Sequence, residues 1–239
     1  MVIPEHTAKA FDVDLQELTR MVAEMGGLTE KQIADSVDAL ARRDPERARQ
    51  IVTADLSIDA LQREIEDKAV LTIARRQPMA VDLRELLGAM HLCNDLERIG
   101  DLAKNIAKRV MVLQAELPSA KLIRGVQHMG GLVLAQLKLA LDSYTGHELE
   151  KALTVWSGDE EIDAMCTSVF RELLTYMMED ARNITYCIHL MFCAKNIERM
   201  GDHATNMAET VYYMVEGRAI TDQRPKGDTT SFPAGILQK

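Results

Sequence analysis

Aromatic residues are scarce, one Trp, five Tyr and four Phe in 239 residues, and prolines number only six. The residues that specify sheets are therefore few, while Ala, Leu, Met, Glu, Lys, Arg and Gln, which favour helices, are plentiful, so an all-α fold is expected. No run of eighteen apolar residues occurs, so direct insertion as a membrane-spanning helix is excluded. Met1 to Leu15 lacks the basic-then-apolar pattern of a secretory signal, and the four cysteines form no CxxC pair. Cytoplasmic residence with reduced thiols is the expectation. Basic excess is also missing: 37 acidic residues against 28 basic give a net charge of -9. This disfavours nucleic acid as a partner and suits cations or basic protein surfaces.

Enzyme signatures are absent as well. There is no GxGxxG, P-loop, GxSxG or HExxH, and none of the six histidines follows a Glu by three residues as a buried di-iron site requires. Cys93, Cys166, Cys187 and Cys193 lie in apolar helical patterns and read as buried small hydrophobes. His91 and His189 read as hydrogen-bonded packing residues.

What is present is a repeat. A shift of 104 places Met25-Gly26-Gly27-Leu28 on Met129-Gly130-Gly131-Leu132, and Asp55, Ile58, Asp59 and Ala60 on Asp159, Ile162, Asp163 and Ala164. From Met25 to Ala60, twelve of 36 positions are identical. Farther on the shift is 101, laying Glu97-Arg98-Ile99-Gly100-Asp101 over Glu198-Arg199-Met200-Gly201-Asp202. Charged and glycine positions match, not only apolar ones, so the chain is read as an internal duplication.

Each half holds three helical stretches. In the first they run from about Pro4 to Arg43, from Pro45 to Arg76, and from about Asp82 onward; in the second, near Ala120 to Tyr144, His147 to Glu179 and Ile184 to Glu216. Asp44-Pro45 supplies an N-cap and a first-turn proline, and Gln77-Pro78 a stop. Leu92, Leu96, Ile99, Ala103, Ile106, Val110 and Leu113 form a seam in steps of four and three, repeated at Cys193, Ile197, Met200, Ala204, Met207, Val211 and Met214. Gly26-Gly27 is expected to kink the first helix, or Thr29 with Gln32 to start a fresh one. The expected architecture is two tandem pseudo-symmetric three-helix bundles of six long helices, residues 1–117 and 118–216 joined at Pro118-Ser119, with a mobile tail over 217–239.

Glu97 and Asp101 stack on one helical face, as do Asp55 and Asp59 on the preceding helix. By angle the Glu97/Asp101 stripe lies opposite the seam and is expected to face outward, with Asp159, Asp163, Glu198 and Asp202 repeating it. Clustered like charges repel unless a cation neutralises them, and all-oxygen donors select hard ions. Gly100 and Gly201, costly inside an exposed helix, call for the close approach of a ligand or helix.

Asn94-Asp95-Leu96-Glu97-Arg98-Ile99-Gly100-Asp101, then Asn105-Ile106-Ala107, together with Arg76-Gln77-Pro78-Met79-Ala80-Val81-Asp82-Leu83-Arg84, resemble the signatures of the PhoU family over about Thr7 to Glu216. The resemblance implies surface metal clusters, iron foremost, with zinc, manganese or magnesium as alternatives, on Asp55, Asp59, Glu97, Asp101, Asp159, Asp163, Glu198 and Asp202. It implies a negative regulator of phosphate-starvation genes that links the Pst phosphate ABC transporter, through its PstB-type ATPase subunit, to a PhoR-type sensor histidine kinase. A homodimer without enzymatic activity, brought to the inner membrane by these partners, fits that role. Departures from the family pattern, Leu102 and Lys108 in the first half and Lys195-Asn196 in the second, predict unequal sites, with Lys108 weakening the first if it points inward. Two other readings stay open: a metal-dependent phosphohydrolase, and a metal-free helical adaptor docking basic surfaces.

Overall fold

A computed structural model describes residues 5–113 and 120–222. The described residues contain helices and no strand. In chain order they are α1 (Glu5–Arg42), α2 (Pro45–Arg76), α3 (Val81–Val112), α4 (Ala120–Gly146), α5 (Leu149–Ser157), α6 (Asp159–Glu179) and α7 (Ile184–Glu216), with a short 3-10 turn at Ala181–Asn183. The six expected stretches are present, the fifth divided at Gly158. There the repeat places Gly158 opposite Ala54 of the unbroken α2, and glycine costs about 1 kcal/mol relative to alanine inside a helix. The expected joint at Pro118-Ser119 and most of the expected tail, 223–239, lie outside the described residues.

Local chemistry sets the helix ends. The Asp44 carboxylate accepts hydrogen bonds from the backbone N–H groups of Glu46 and Arg47 at 3.0 and 2.9 Å, capping α2, with Pro45 in its first turn. Gln77 closes α2 in a left-handed conformation, donating its N–H to the Ile73 carbonyl, and Gly217 does the same for α7 with Tyr213. No new helix starts after Gly26-Gly27: α1 runs on from Glu5 to Arg42, and Thr29 donates its hydroxyl back to the Met25 carbonyl rather than capping a fresh helix.

The seams of α3 and α7 are buried, except that Leu113, just past the end of α3, is only partly buried. α1, α2 and α3 pack as one bundle and α4 to α7 as another, while α3 against α7 and α1 against α4 join the two into one continuous core. The α1–α4 contact is reciprocal: a Cβ on Gly26 would stand 2.6 Å from Leu141, and one on Gly130 would stand 2.8 Å from Val37. Both partners are related by the same shift of 104, so the repeat extends to its own interface.

Candidate cation site: two carboxylate clusters

The eight carboxylates gather in two clusters, one in each half. They do not form an outer surface. Asp55 and Asp159 are 2% exposed, Asp163 3% and Glu198 5%, while Asp59, Glu97, Asp101 and Asp202 are half-buried. The expectation of an outward stripe fails because α3 and α7 are central helices. The face opposite the α3 seam meets α2, and α6 packs on α7 in the same way. Gly100 and Gly201 lie in that contact: a Cβ there would stand 3.2 Å from Ile58 Cδ1 and 3.1 Å from Ile162 Cδ1, respectively. Close helix approach is reason enough for both glycines.

In the first cluster the Gln32 amide of α1 donates to Asp55 Oδ1 at 2.8 Å and to the Gly100 carbonyl at 3.0 Å. The Lys104 ammonium donates to both Asp55 Oδ2 and Asp101 Oδ1, bridging α2 and α3. Burial works against the charged form of Lys104, but hydrogen bonds to Asp101 and Asp55 and their negative charges outweigh it and push the pKa up. Burial also raises the Glu97 carboxyl, as do the charges of Asp101, Asp59 and Asp55, against the lowering effect of Arg98. Arg98 is mostly in solvent and stands 3.5 Å from Glu97 Oε2, which is buried and accepts no hydrogen bond. Lys108 is exposed, so the lysine that matters to this cluster is Lys104.

The second cluster is built differently around the same plan. Thr205, which the repeat places opposite Lys104, donates to the Gly201 carbonyl at 3.1 Å and reaches Asp159 Oδ1 at 3.4 Å. Gln136, opposite Gln32, donates to Thr205 Oγ1 and to the Val155 carbonyl at 3.3 and 3.2 Å. Lys195 donates to Glu198 Oε1 at 2.7 Å from the rim. Burial raises the Glu198 carboxyl, opposed by Lys195 and reinforced by Asp202 and Asp163. Glu198 Oε2 and Gln136 Oε1 are buried without a hydrogen-bond partner. Between the halves, His203 Nδ1 meets Asp95 Oδ1 at 2.9 Å.

Among the described residues no three His, Cys, Asp or Glu side chains stand close enough together to hold a metal ion as they lie. In donor chemistry the two clusters differ. The first already has an ammonium between its carboxylates and does not fit a metal. The second has a neutral threonine in the Lys104 position, its lysine, Lys195, meets Glu198 from the rim, and Glu198 Oε2 and Gln136 Oε1 are buried oxygens without a hydrogen-bond partner, a donor set whose chemistry suits a hard cation.

Sequence reasoning missed Gln32, Gln136, Lys104 and Thr205. The glutamines are identical under the shift of 104, and the lysine and threonine are a mismatch inside an otherwise matched helix, so both signals were present. All four cysteines are buried and none is in a disulfide, as expected. His189 pairs with Arg109 at 3.3 Å, whereas His91 is exposed on α3 and packs in no core.

A protein-family model described as the PhoU domain matches residues 22–110 and again 126–211. The chain belongs to the PhoU family. Among PhoU relatives, a phosphate-specific transport system accessory protein PhoU homolog of Rhizobium meliloti is 54% identical over 226 residues, covering 95% of each chain. A Caulobacter vibrioides protein of the same description is 50% identical over 227 residues, 95% of this chain and 99% of that one. The crystal structure of PhoU from Pseudomonas aeruginosa superposes with a TM-score of 0.82 at 37% identity, covering 87% of this chain and 100% of that one. PhoU from Streptococcus pneumoniae, described as a phosphate transport system regulatory protein, gives a TM-score of 0.81 at 29% identity, with 88% and 99% covered. No described helix is long and apolar enough to cross a membrane.

Proposed function

We propose that this chain is a negative regulator of the phosphate-starvation response, a non-enzymatic adaptor that links a Pst-type phosphate ABC transporter, through its ATPase subunit, to a PhoR-type sensor histidine kinase. The observation that carries this reading is the near end-to-end match, 54% identical, to a protein described as a phosphate-specific transport system accessory protein. It acts in the cytoplasm as a homodimer, reaching the inner membrane through its partners. Deleting the gene should raise a phosphate-starvation reporter in phosphate-replete cells, and restoring it should silence the reporter. Unchanged expression sinks the proposal.

The second carboxylate cluster binds a hard metal ion, iron foremost, with zinc, manganese or magnesium as alternatives. Asp159, Asp163, Glu198 and Asp202 would hold it, and its charge would neutralise carboxylates that burial otherwise penalises. Thr205 Oγ1, which accepts from the Gln136 amide, stands 3.4 Å from Asp159 Oδ1. Elemental analysis of protein purified without chelators tests this. Metal should be present, and absent from an Asp163→Asn, Glu198→Gln variant of equal helicity; equal content in the two refutes the site.

A further inference from the structure

We propose that Lys104 is the resident cation of the first carboxylate cluster, so that the duplicated halves have diverged into one that takes an exchangeable metal and one that is permanently closed to it. The inference rests on metal binding by the second half and concerns what the first half does instead. Lys104 lies three residues after Asp101 on α3, and its ammonium joins Asp101 to Asp55 of α2. A positive charge hydrogen-bonded to carboxylates of two helices does what a bound cation would do there: it neutralises the cluster and ties the helices together.

Three further observations support the assignment. Asp55 has both oxygens engaged, Oδ1 by Gln32 and Oδ2 by Lys104, so an entering ion would have to displace buried hydrogen bonds. The Lys104 side chain is 19% exposed, which leaves little room for it to swing into water. In the second half the equivalent residue is the neutral Thr205, and the lysine present there, Lys195, comes from one turn before the motif, is 41% exposed and contacts Glu198 from the rim. Lys104 ties α2 to α3, whereas Lys195 and Glu198 both belong to α7.

The tests use the full chain, stripped with chelator and titrated with Mn2+. In an Asp163→Asn, Glu198→Gln background, Lys104→Thr, the residue of the twin half, should bind Mn2+ at least about tenfold more tightly than the background alone. Adding Asp55→Asn should abolish that gain. Metal-free Lys104→Thr should melt several degrees below the natural chain, with Mn2+ restoring the difference. The inference is overturned if Lys104→Thr gains no Mn2+ affinity and no Mn2+-dependent rise in melting temperature. If Lys104→Thr does not fold, the natural chain alone decides. Paramagnetic broadening by Mn2+ should be strongest at resonances of α6 and α7 around Asp163 and Glu198 and weaker at those of α2 and α3 around Asp55 and Asp101, and the reverse order overturns it. If the natural chain binds no Mn2+ but the Lys104→Thr chain does, metal binding by the second half fails and the role of Lys104 stands.

Discussion

Replacing Glu198 with Gln should stabilise the metal-free protein at neutral pH, although it deletes an ion pair. Glu198 is 5% exposed, one of its oxygens has no hydrogen-bond partner, and Asp202 and Asp163 add negative charge nearby. An unsatisfied buried polar group costs about 1–3 kcal/mol, and more when charged, so a neutral amide in the same place is spared the charged part of that cost. The substitution gives up the ion pair with Lys195, whose 41% exposure lets it return to water, so that loss costs about 0–1 kcal/mol. The balance favours the amide by about 1 kcal/mol, which is about 2–4 °C of melting temperature for a chain of this length. The pH dependence follows from the direction of the shift. Burial raises the Glu198 carboxyl in the folded state, so the folded chain holds this proton more tightly than the unfolded chain does. Above the raised pKa the charge costs stability, and the cost fades as pH falls toward the ordinary carboxyl value of 4.5. The advantage of Glu198→Gln should therefore be largest near pH 7.5 and shrink toward pH 4.5. Urea denaturation followed by circular dichroism in chelator, at several pH values, measures it. With saturating Mn2+ the order should invert, because only the natural chain keeps its ligand. A variant less stable than the natural chain in chelator at pH 7.5, with an unchanged denaturant slope, refutes the reasoning and means that the carboxylate is better paired than Lys195 alone makes it.

The glycine pairs of α1 and α4 should separate in one experiment. Gly130→Ala pushes a methyl to within 2.8 Å of the stiff Val37 side chain and should cost a net of about 1 kcal/mol, whereas Gly27→Ala and Gly131→Ala meet nothing within 4 Å and should each stabilise by about 0.5–1 kcal/mol in thermal melts. His189 has its pKa lowered by burial and then by the Arg109 charge, so the unfolded chain binds that proton more readily. Melting temperature should fall as pH drops from 7.5 through 6.5 and below, and His189→Gln should flatten that part of the profile; an unchanged slope contradicts the assignment.

Much of this protein was legible in its sequence because the signals are local or periodic. The Asp44-Pro45 start, the last helix from Ile184 to Glu216, the seams of α3 and α7 apart from Leu113, and the shifts of 104 and 101 depend on neighbours within a turn or on self-similarity, and the structure reproduces them. Membership of the PhoU family was legible for the same reason, since its motifs are contiguous strings. Helical angle placed Glu97 and Asp101 opposite the Leu96/Ile99 seam, and that relation holds. Whether the opposite face meets water is a different question, settled by how many helices surround α3, and three do. Tertiary structure alone turned the carboxylates inward and brought Lys104 across 49 residues of sequence to Asp55, while Lys108, one turn farther on, was left in solvent. Sequence thus determined which residues share a face and which half repeats which. Packing decided which faces are dry, because burial and charge pairing depend on distances between segments that the linear pattern does not contain.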